Sequence, residues 1–174
     1  MSAKSILKPL VAEPLAHEAY RPYGDVVSAA AGVKAVSANM GTSKRFNQLG
    51  HLENRRKTAA TPNLCVFQST PFQGNLFEVK LLERHLHSTQ LFIPMTCKKR
   101  YLVVVCMGEN KPDLGTLRAF IARNDQGITY HPGVWHHPLI ALDHTTDFAC
   151  VVWENGSAED CEVSKLKSSV AVIL

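Results

Sequence analysis

The chain has 174 residues, of which 45% are hydrophobic and 20% charged, and its formal net charge is +4. These values are ordinary for a globular protein, so we interpret residues 1–174 as a single domain that can bury a core without cross-links. The basic residues form only two short runs, RRK and KKR. This excludes the broad basic patch of a nucleic-acid-binding surface but is compatible with an anionic small substrate.

The cysteines and the hydropathy pattern predict a cytoplasmic protein. The five cysteines are odd in number and widely spaced, and two of them, Cys106 and Cys150, lie in the apolar segments VVVCM and DFACVVW. This pattern is typical of reduced, buried thiols rather than of disulfides. The sequence shows no secretory leader pattern and no apolar run of about 18 residues, so we expect no membrane partner.

The N-terminal part of the chain shows little regular structure. The segment LAHEAYRPYGDVVSA predicts a short helix that ends before Pro22, then a turn, then a strand that begins at Val26. The next segment is small, polar and glycine-containing, and it predicts a loop with a marginal strand around residues 34–37. Because Asn39, Thr42 and Arg45 have no evident core role in this loop, we predict that they contribute to a binding site.

From residue 64 onward, short strand patterns alternate with turns. The strand-like segments are LCVFQS, GNLFEVKLLERH, STQLFIPM, RYLVVVCMG, TLRAFIAR, GITYHPG, HHPLIAL and DFACVVWE. They are separated by Pro, Gly, Asn and Asp at intervals of roughly 8 to 15 residues, which predicts an antiparallel sandwich or small barrel with few short helices. The final residues, roughly 165–174, predict a short helix or a loose tail.

One of these segments, GNLFEVKLLERH, shows strict alternation of side chains. Its pattern predicts Phe77, Val79 and Leu81 on one face of a strand. The same period of two predicts that Glu83 and Arg84, further along, face opposite sides.

Five of the eight histidines fall in two clusters at strand ends. His85 and His87 form a His-x-His pair, which places both imidazoles on the same face of a strand. His131, His136 and His137 lie in YHPGVWHHPL, where a tight turn directs one of His136 and His137 inward and the other outward. Because burying several imidazoles without partners is costly, this pattern indicates a functional site rather than structural filler.

A metal site is the first functional interpretation of these clusters. Imidazoles from two hairpins, with one carboxylate or amide oxygen, can bind a first-row divalent ion inside a barrel. The candidate ligands are His85, His87, Gln90 and one of His136 and His137, and we take His85, Gln90 and His137 as the predicted set. This spacing resembles the cupin pattern, although Gln90 stands where cupins prefer an acid.

Four longer motifs resemble the ureidoglycolate lyase family, also called ureidoglycolate hydrolase. They are LERHLHSTQLFIPM, KPDLGTLRAFI, QGITYHPGVWHHPL and TDFACVVWENGSAEDC, and the match runs in register from about Leu10 to Cys161. The motif VWHHPL is the most specific. At Leu86 and His87 the chain departs from the proline and the apolar residue that are common in the family.

The resemblance implies a fold, a reaction, a cofactor and an assembly. The fold is a cupin-like antiparallel β-barrel, and the assembly is a homodimer. The reaction is the cleavage of (S)-ureidoglycolate to glyoxylate and urea, a step of allantoin and purine breakdown. The cofactor is a divalent metal ion, for which the family points to nickel.

The chemistry of this reaction assigns roles to the catalytic candidates. The substrate carbon bears a hydroxyl, a carboxylate and the ureido nitrogen, so elimination needs a base for the hydroxyl proton and an acid for the departing nitrogen. Imidazole suits both roles near neutral pH. We therefore predict His85 and one of His136 and His137 as the acid–base pair. Glu83 is predicted to orient an imidazole or to hold the urea NH groups.

The substrate carboxylate requires a fixed cation, and a guanidinium that binds in two places is the best choice. We predict Arg84 or Arg45 for this role, helped by Ser88 and Gln90. Asn39 and Thr42 are predicted to close the site, and Trp135 to line it.

Two other classes of protein remain compatible with the sequence. One is a non-catalytic cupin sensor that binds an anionic ureide, which would need the arginine but no acid–base pair. The other is a different cupin metalloenzyme, such as an isomerase or an oxygenase.

Overall fold

The computed structural model describes residues 8–30 and 32–174, and β-strands dominate it. The strands are β1 (Leu10–Val11), β2 (Glu13–Pro14), β3 (Val26–Val27), β4 (Val36–Ala38), β5 (Ser43–Arg45), β6 (Thr61–Ser69), β7 (Leu76–Arg84), β8 (Gln90–Pro94), β9 (Arg100–Cys106), β10 (Arg118–Arg123), β11 (Gly127–Tyr130), β12 (Trp135–His136), β13 (Ile140–Ala141), β14 (Thr146–Glu154) and β15 (Glu162–Ile173). One short helix, α1 (His17–Tyr20), ends before Pro22 as predicted, and the other helical segments are 3₁₀ turns at Asn39–Gly41, Leu114–Thr116 and Ala158–Asp160. The mainly-β prediction is confirmed.

Two sheets face each other and form a nearly closed, cupin-like barrel. The larger sheet has the order β1-β15-β7-β12-β9-β10-β2, with β13 also paired to β9, and the smaller has the order β3-β11-β8-β14-β6. Neighbouring strands are antiparallel except β1 with β15 and β2 with β10. Among the described residues, no helix has the length and apolar character needed to cross a membrane.

Strand β9, at the centre of the larger sheet, is buried on both faces. Its sequence RYLVVVC is an unbroken apolar run after the first residue, which is typical of a strand covered on both sides. Tyr101, Val103 and Val105 point into the barrel, where they pack with residues of the smaller sheet. Leu102 and Val104 point outward into a second apolar layer.

Strand β7 changes the face it presents along its length. Phe77 and Val79 pack in the outer apolar layer, but so does Leu82, which is three positions further on. The pairing with β15 is irregular in this region, with a register shift between Lys165 and Val170. Four residues of β15 (166–169) stand opposite one residue of β7 (Lys80) at this point, and such an irregularity interrupts the side-chain alternation. The prediction that Leu81 shares the face of Val79 through strict alternation is wrong for this reason, and Glu83 is turned toward the barrel interior.

The C-terminal segment forms a strand, so the prediction of a short helix or loose tail is wrong. β15 pairs with β7 on both sides of the register shift, and Val170 and Val172 pack in the outer apolar layer. The backbone hydrogen bonds that hold this strand come from a partner about 90 residues earlier in the chain, which local sequence patterns do not reveal. The five cysteines are free, as predicted.

A candidate active site at one end of the barrel

Glu83, His85 and His136 meet at one end of the barrel. The pairing of β12 with β7 places His136 directly opposite Glu83, and His85 follows the last residue of β7. Nε2 of His136 lies 3.6 Å from Oε1 of Glu83. One potential ligand atom from each of the three residues lies within 4.8 Å of the others. We call these three residues the Glu-His-His cluster.

Both imidazoles of the cluster are held in one orientation by backbone carbonyl groups. Nδ1 of His136 lies 2.9 Å from the carbonyl oxygen of Val134, and Nδ1 of His85 lies 2.7 Å from that of Asp160. Because a carbonyl oxygen only accepts, each Nδ1 carries the hydrogen and donates it, so each Nε2 keeps a free lone pair. Neither Nε2 atom has a hydrogen-bond partner among the described residues.

Burial sets the charge state of the cluster. Desolvation, followed by the nearby charge of His85, lowers the pKa of His136 to about 3, and desolvation also lowers the pKa of His85. Both rings are therefore neutral at pH 7, which is the form that binds metals. Desolvation raises the pKa of Glu83, partly opposed by its hydrogen bond with Cys161, and so brings this carboxyl closer to neutral pH.

Two further polar side chains, Tyr130 and Gln90, lie beside the cluster. The Tyr130 ring stacks on the His136 ring with 3.8 Å between centroids and 8° between planes. Tyr130 and Gln90 are cross-strand partners in β11 and β8. The Tyr130 hydroxyl and Gln90 Oε1 are buried without a hydrogen-bond partner among the described residues. Because each unpaired buried polar group costs about 1–3 kcal/mol, this grouping indicates a ligand-binding site.

The cluster fits a first-row divalent metal ion. Two neutral imidazoles and one carboxylate are a common donor set for such ions. The carbonyl groups that fix the two Nδ1–H bonds are the outer contacts that metal-binding histidines usually have. This cluster differs from the predicted ligand set at two positions. At the first, His136 stands where His137 was predicted. Glu83 supplies the oxygen ligand expected from Gln90.

His137 lies on the other side of the strand from His136. Its ring packs edge-on against Phe77, with 5.1 Å between centroids, and its Nδ1 lies 2.7 Å from the carbonyl oxygen of Pro138. Because Phe77 belongs to the outer apolar layer, His137 points away from the barrel interior. The structure does not bring it into the cluster.

Arg84 and Trp135 also lie on the outer side of the larger sheet. The Arg84 guanidinium stacks on the Trp135 ring at 4.5 Å and binds Glu162 through Nε and Nη2 at 2.8 and 2.7 Å. Its Nη1 donates to the backbone carbonyl oxygen of Glu109. Arg84 lines a separate cavity of about 400 Å³ near Leu86. Glu83 and Arg84 face opposite sides of β7, as side-chain alternation requires. Arg84 therefore lies outside the Glu-His-His cluster and not where it was predicted to bind a substrate carboxylate.

Asn39, Thr42 and Arg45 lie on a hairpin whose strands, β4 and β5, pair only with each other within residues 8–30 and 32–174. The Asn39 amide donates to Ser43 at 3.1 Å, and the Thr42 hydroxyl donates to the Asn39 carbonyl at 2.8 Å. These exposed contacts stabilise the hairpin turn. The structure does not place the three residues near the Glu-His-His cluster.

Ser88 has a structural position close to the site. Its hydroxyl donates to the Thr89 carbonyl at 2.7 Å and accepts from the backbone N–H of Trp153 at 2.8 Å. Both capacities of this buried hydroxyl are used to connect β14 to the segment before β8. Of the predicted substrate-binding residues, Gln90 is the one with an unpaired polar atom beside the cluster.

Sequence reasoning missed three contributors to the site. Tyr130 alternates with Ile128 on the inward face of β11, and this alternation is the only signal that could have identified it. Cys161 contacts the carboxyl group of Glu83, with 3.8 Å between Sγ and Oε2. Arg56 forms a buried ion pair with Asp160, whose carbonyl group orients His85, and the roughly 100 residues between them gave no signal.

The low pKa of His136 predicts a loss of stability in acid. Its folded pKa of about 3 lies below the usual histidine value of 6.5, so the unfolded state binds the proton first as the pH falls through 6.5. The contribution of neutral His136 is complete above pH 6.5 and is lost progressively down to about pH 3. Between pH 7 and pH 4.5, the metal-free protein should lose about 2–3 kcal/mol of unfolding free energy through this residue.

The measurement is urea unfolding in the presence of a chelator, comparing the wild type with His136→Asn at both pH values. The unfolding free energy of the wild type minus that of His136→Asn should be lower at pH 4.5 than at pH 7. An unchanged difference would show that His136 is not a buried neutral imidazole.

Comparisons with known proteins agree with the geometry. Residues 7–173 match the family model described as ureidoglycolate lyase. A ureidoglycolate lyase from Burkholderia cepacia is 38% identical over 99% of this chain and 93% of its own length. One from Schizosaccharomyces pombe is 34% identical over 96% of both chains, and one from Escherichia coli O139:H28 is 37% identical over 88% of this chain and 91% of its own.

Proposed function

The chain belongs to the ureidoglycolate lyase family, and from this premise we propose that it cleaves ureidoglycolate to glyoxylate and urea at the Glu-His-His cluster. The observation that carries the proposal is the group of buried, unpaired polar atoms around that cluster. These atoms are costly for the fold and are suited to a small, highly polar substrate. The reaction fits a step of allantoin and purine breakdown, with the (S) isomer as substrate.

We assign the metal to the cluster. His85 and His136 through Nε2, and Glu83 through Oε1, would hold a divalent ion, and nickel is the element to test first. When bound, the ion supplies positive charge for the substrate carboxylate and lowers the pKa of the substrate hydroxyl. This charge replaces the guanidinium that the sequence predicted, since Arg84 and Arg45 lie elsewhere.

The proton transfers fall to Glu83 in this proposal. Its carboxyl group lies 3.6 Å from Nε2 of His136 and would hold the metal through Oε1, which leaves Oε2 to take a proton and return it. Oε2 of Glu83 accepts the proton of the substrate hydroxyl while the carbonyl of glyoxylate forms and the C–N bond breaks. The same proton then passes to the urea nitrogen, so no external acid is consumed.

Tyr130 and Gln90 bind the ureido group. The pKa of the Tyr130 hydroxyl is raised well above its usual value by desolvation, so this hydroxyl stays protonated and serves as a donor. Gln90 Oε1 is an acceptor for a ureido N–H. Together they hold the leaving group in position while the proton moves, which is the main contribution that fixed polar groups make in such sites.

The proposal also covers the domain organisation, the cellular location and the assembly of the enzyme. We propose that residues 1–174 act as one domain, because the two sheets share one core. We propose a cytoplasmic location, because the free cysteines suit a reducing compartment. The working assembly is a homodimer in this proposal, as the family resemblance implies.

The decisive experiment is to incubate the purified protein with racemic ureidoglycolate and follow urea, glyoxylate and ammonia together. We expect equimolar urea and glyoxylate, no ammonia, and consumption of half of the racemate. Release of ammonia would identify an amidohydrolase instead, and tight binding without turnover would identify a sensor.

The metal assignment has its own test. Chelation followed by dialysis should lower kcat/KM by about 10²-fold or more, the amount expected when a metal contributes several kcal/mol to the transition state. Adding back Ni²⁺, Mn²⁺, Fe²⁺ or Zn²⁺ separately identifies the element. Metal content measured by mass spectrometry should fall in His85→Asn and His136→Asn but not in His137→Asn. Equal metal content in all three variants would contradict the assignment.

A further inference from the structure

A buried ion pair between Arg56 and Asp160 lies next to the Glu-His-His cluster but outside the groups that the proposed reaction uses. The Arg56 side chain is 3% exposed and that of Asp160 is 13% exposed. Nη2 of Arg56 donates to Oδ1 of Asp160. Because taking two charges out of water can cost more than their attraction returns, such a pair is weak evidence for a role in stability alone.

Asp160 belongs to a loop, residues 155–161, that holds one of the cluster imidazoles. Its backbone carbonyl oxygen lies 2.7 Å from Nδ1 of His85. Its carboxylate accepts the backbone N–H groups of Asn155 and Gly156, at 3.1 Å and 2.7 Å. The loop is therefore folded around the carboxylate of the same residue whose carbonyl group orients His85.

Arg56 extends from a segment that is attached to the turn carrying His85. The backbone N–H of Arg55 donates to the carbonyl oxygen of His87 at 2.7 Å. The contacts thus form a closed circuit, from the His85 ring through Asp160 and Arg56 back to the turn that carries the ring. Because both ends of this circuit meet at one residue, a shift of the Arg56 guanidinium would move the Asp160 carbonyl group relative to the ring.

We propose that Arg56 is a positioning residue for the Glu-His-His cluster. By holding the Asp160 carbonyl group in place, it keeps the hydrogen of His85 on Nδ1 and leaves the lone pair on Nε2. Without that acceptor, the hydrogen would be free to move to Nε2, and the ring could no longer bind a ligand through this atom. The inference rests on the proposed function only for the metal that the oriented ring would hold.

The first experiment measures the tautomer of His85 by proton–nitrogen correlation NMR on the metal-free protein near neutral pH, with His85→Asn to assign the signal. The wild type should carry the hydrogen on Nδ1. Arg56→Met, which has an uncharged side chain of similar reach, should give a mixture of both tautomers. The matched control is Arg55→Met, since the guanidinium of Arg55 is 53% exposed and pairs with Glu53. This control should keep the wild-type tautomer.

The second experiment measures the affinity for Ni²⁺ by competition with a coloured chelator. Arg56→Met should bind the ion about 10–100-fold more weakly than the wild type, the range expected when an outer contact of a metal-binding histidine is lost. Arg55→Met should bind it as the wild type does.

Two more variants keep the test valid if Arg56→Met fails to fold. Asp160→Asn keeps the shape and the backbone carbonyl group, and R56M/D160N removes both charges and leaves neither partner of the pair buried alone. The Ni²⁺ affinity should fall by about the same factor in each, because all of them break one contact and their effects do not add. A folded R56M/D160N protein with the wild-type His85 tautomer and Ni²⁺ affinity would show that the pair serves stability alone and would overturn the proposal. A wild type with its His85 hydrogen on Nε2 would also overturn it.

The tautomer measurement needs neither metal nor substrate, so its failure is distinct from failure of the proposed function. A wild type that releases no urea, but whose His85 tautomer changes in Arg56→Met, would remove the lyase assignment and leave the role of Arg56 intact. Normal urea release together with an unchanged tautomer and Ni²⁺ affinity in Arg56→Met would do the reverse.

Discussion

Replacing His136 with asparagine is expected to lower kcat/KM for ureidoglycolate by roughly 10³-fold, equivalent to about 4 kcal/mol of transition-state stabilisation. Asparagine retains a donor at the position of Nδ1, so the bond to the Val134 carbonyl at 2.9 Å can persist. It lacks Nε2, the atom that faces Glu83 at 3.6 Å. The variant therefore removes the inward-facing nitrogen with little change in shape or backbone anchoring. Steady-state urea release, measured in metal-replete buffer, gives the ratio.

The same substitution at the next residue is the control. His137→Asn also retains a donor near its backbone partner, the Pro138 carbonyl. It removes the ring that packs on Phe77 in the outer apolar layer, so some stability should be lost. Its kcat/KM should stay within about tenfold of the wild type, a change of less than about 1.4 kcal/mol. If His137→Asn proved the more damaging to kcat/KM, the inward assignment of His136 would be wrong.

Replacing Glu83 with glutamine is expected to lower kcat by about 10²–10⁴-fold, the range over which proton transfer by a positioned side chain accelerates reactions. Glutamine has nearly the same shape but cannot carry a proton between the substrate hydroxyl and the urea nitrogen. Measured in chelator, its unfolding free energy should not fall and is expected to rise, because desolvation raises the pKa of Glu83 and so penalises its charged form at neutral pH. Activity and unfolding free energy should thus change in opposite directions, as is common where a site is costly for the fold.

Glu78→Gln provides the comparison on the same strand. Glu78 is exposed and forms a 3.3 Å ion pair with Lys80, and an exposed pair of this kind contributes at most about 1 kcal/mol. Its kcat should match the wild type within error. A Glu83→Gln protein with normal kcat would eliminate Glu83 as the proton carrier, and one that is clearly less stable would show that the carboxylate has a structural role.

These expectations share one physical origin. At the Glu-His-His cluster, the protein buries imidazoles whose Nε2 atoms have no partner in the part of the chain that the structure describes, a carboxyl group whose ionisation is disfavoured and a tyrosine hydroxyl that likewise has no hydrogen bond there. A structural core would replace such groups with apolar residues of similar volume, because each unpaired group lowers stability. Binding of a ligand therefore explains why these costly polar groups are buried together.

The sequence was sufficient for the class of fold. Strand-like segments separated by turn residues predicted a mainly-β barrel, and strands β6 to β11 and β14 follow those segments closely, whereas β12 lies between two of them. It failed at β15, because that strand is stabilised by hydrogen bonds to β7 and by burial of Val170 and Val172 rather than by local preference. It also failed at the register shift between β7 and β15, since an irregularity in pairing belongs to two strands at once.

For the site, the sequence by itself determined that His136 and His137 face opposite sides, and likewise Glu83 and Arg84, because side chains alternate along any strand. Only the tertiary structure decided which member of each pair faces inward. The pairing of His136 with Glu83 across β12 and β7 turns both into the barrel, and it leaves His137 and Arg84 to the outer layer. The physical reason is that alternation is a local property of the backbone, whereas the choice of the buried face depends on what packs against it.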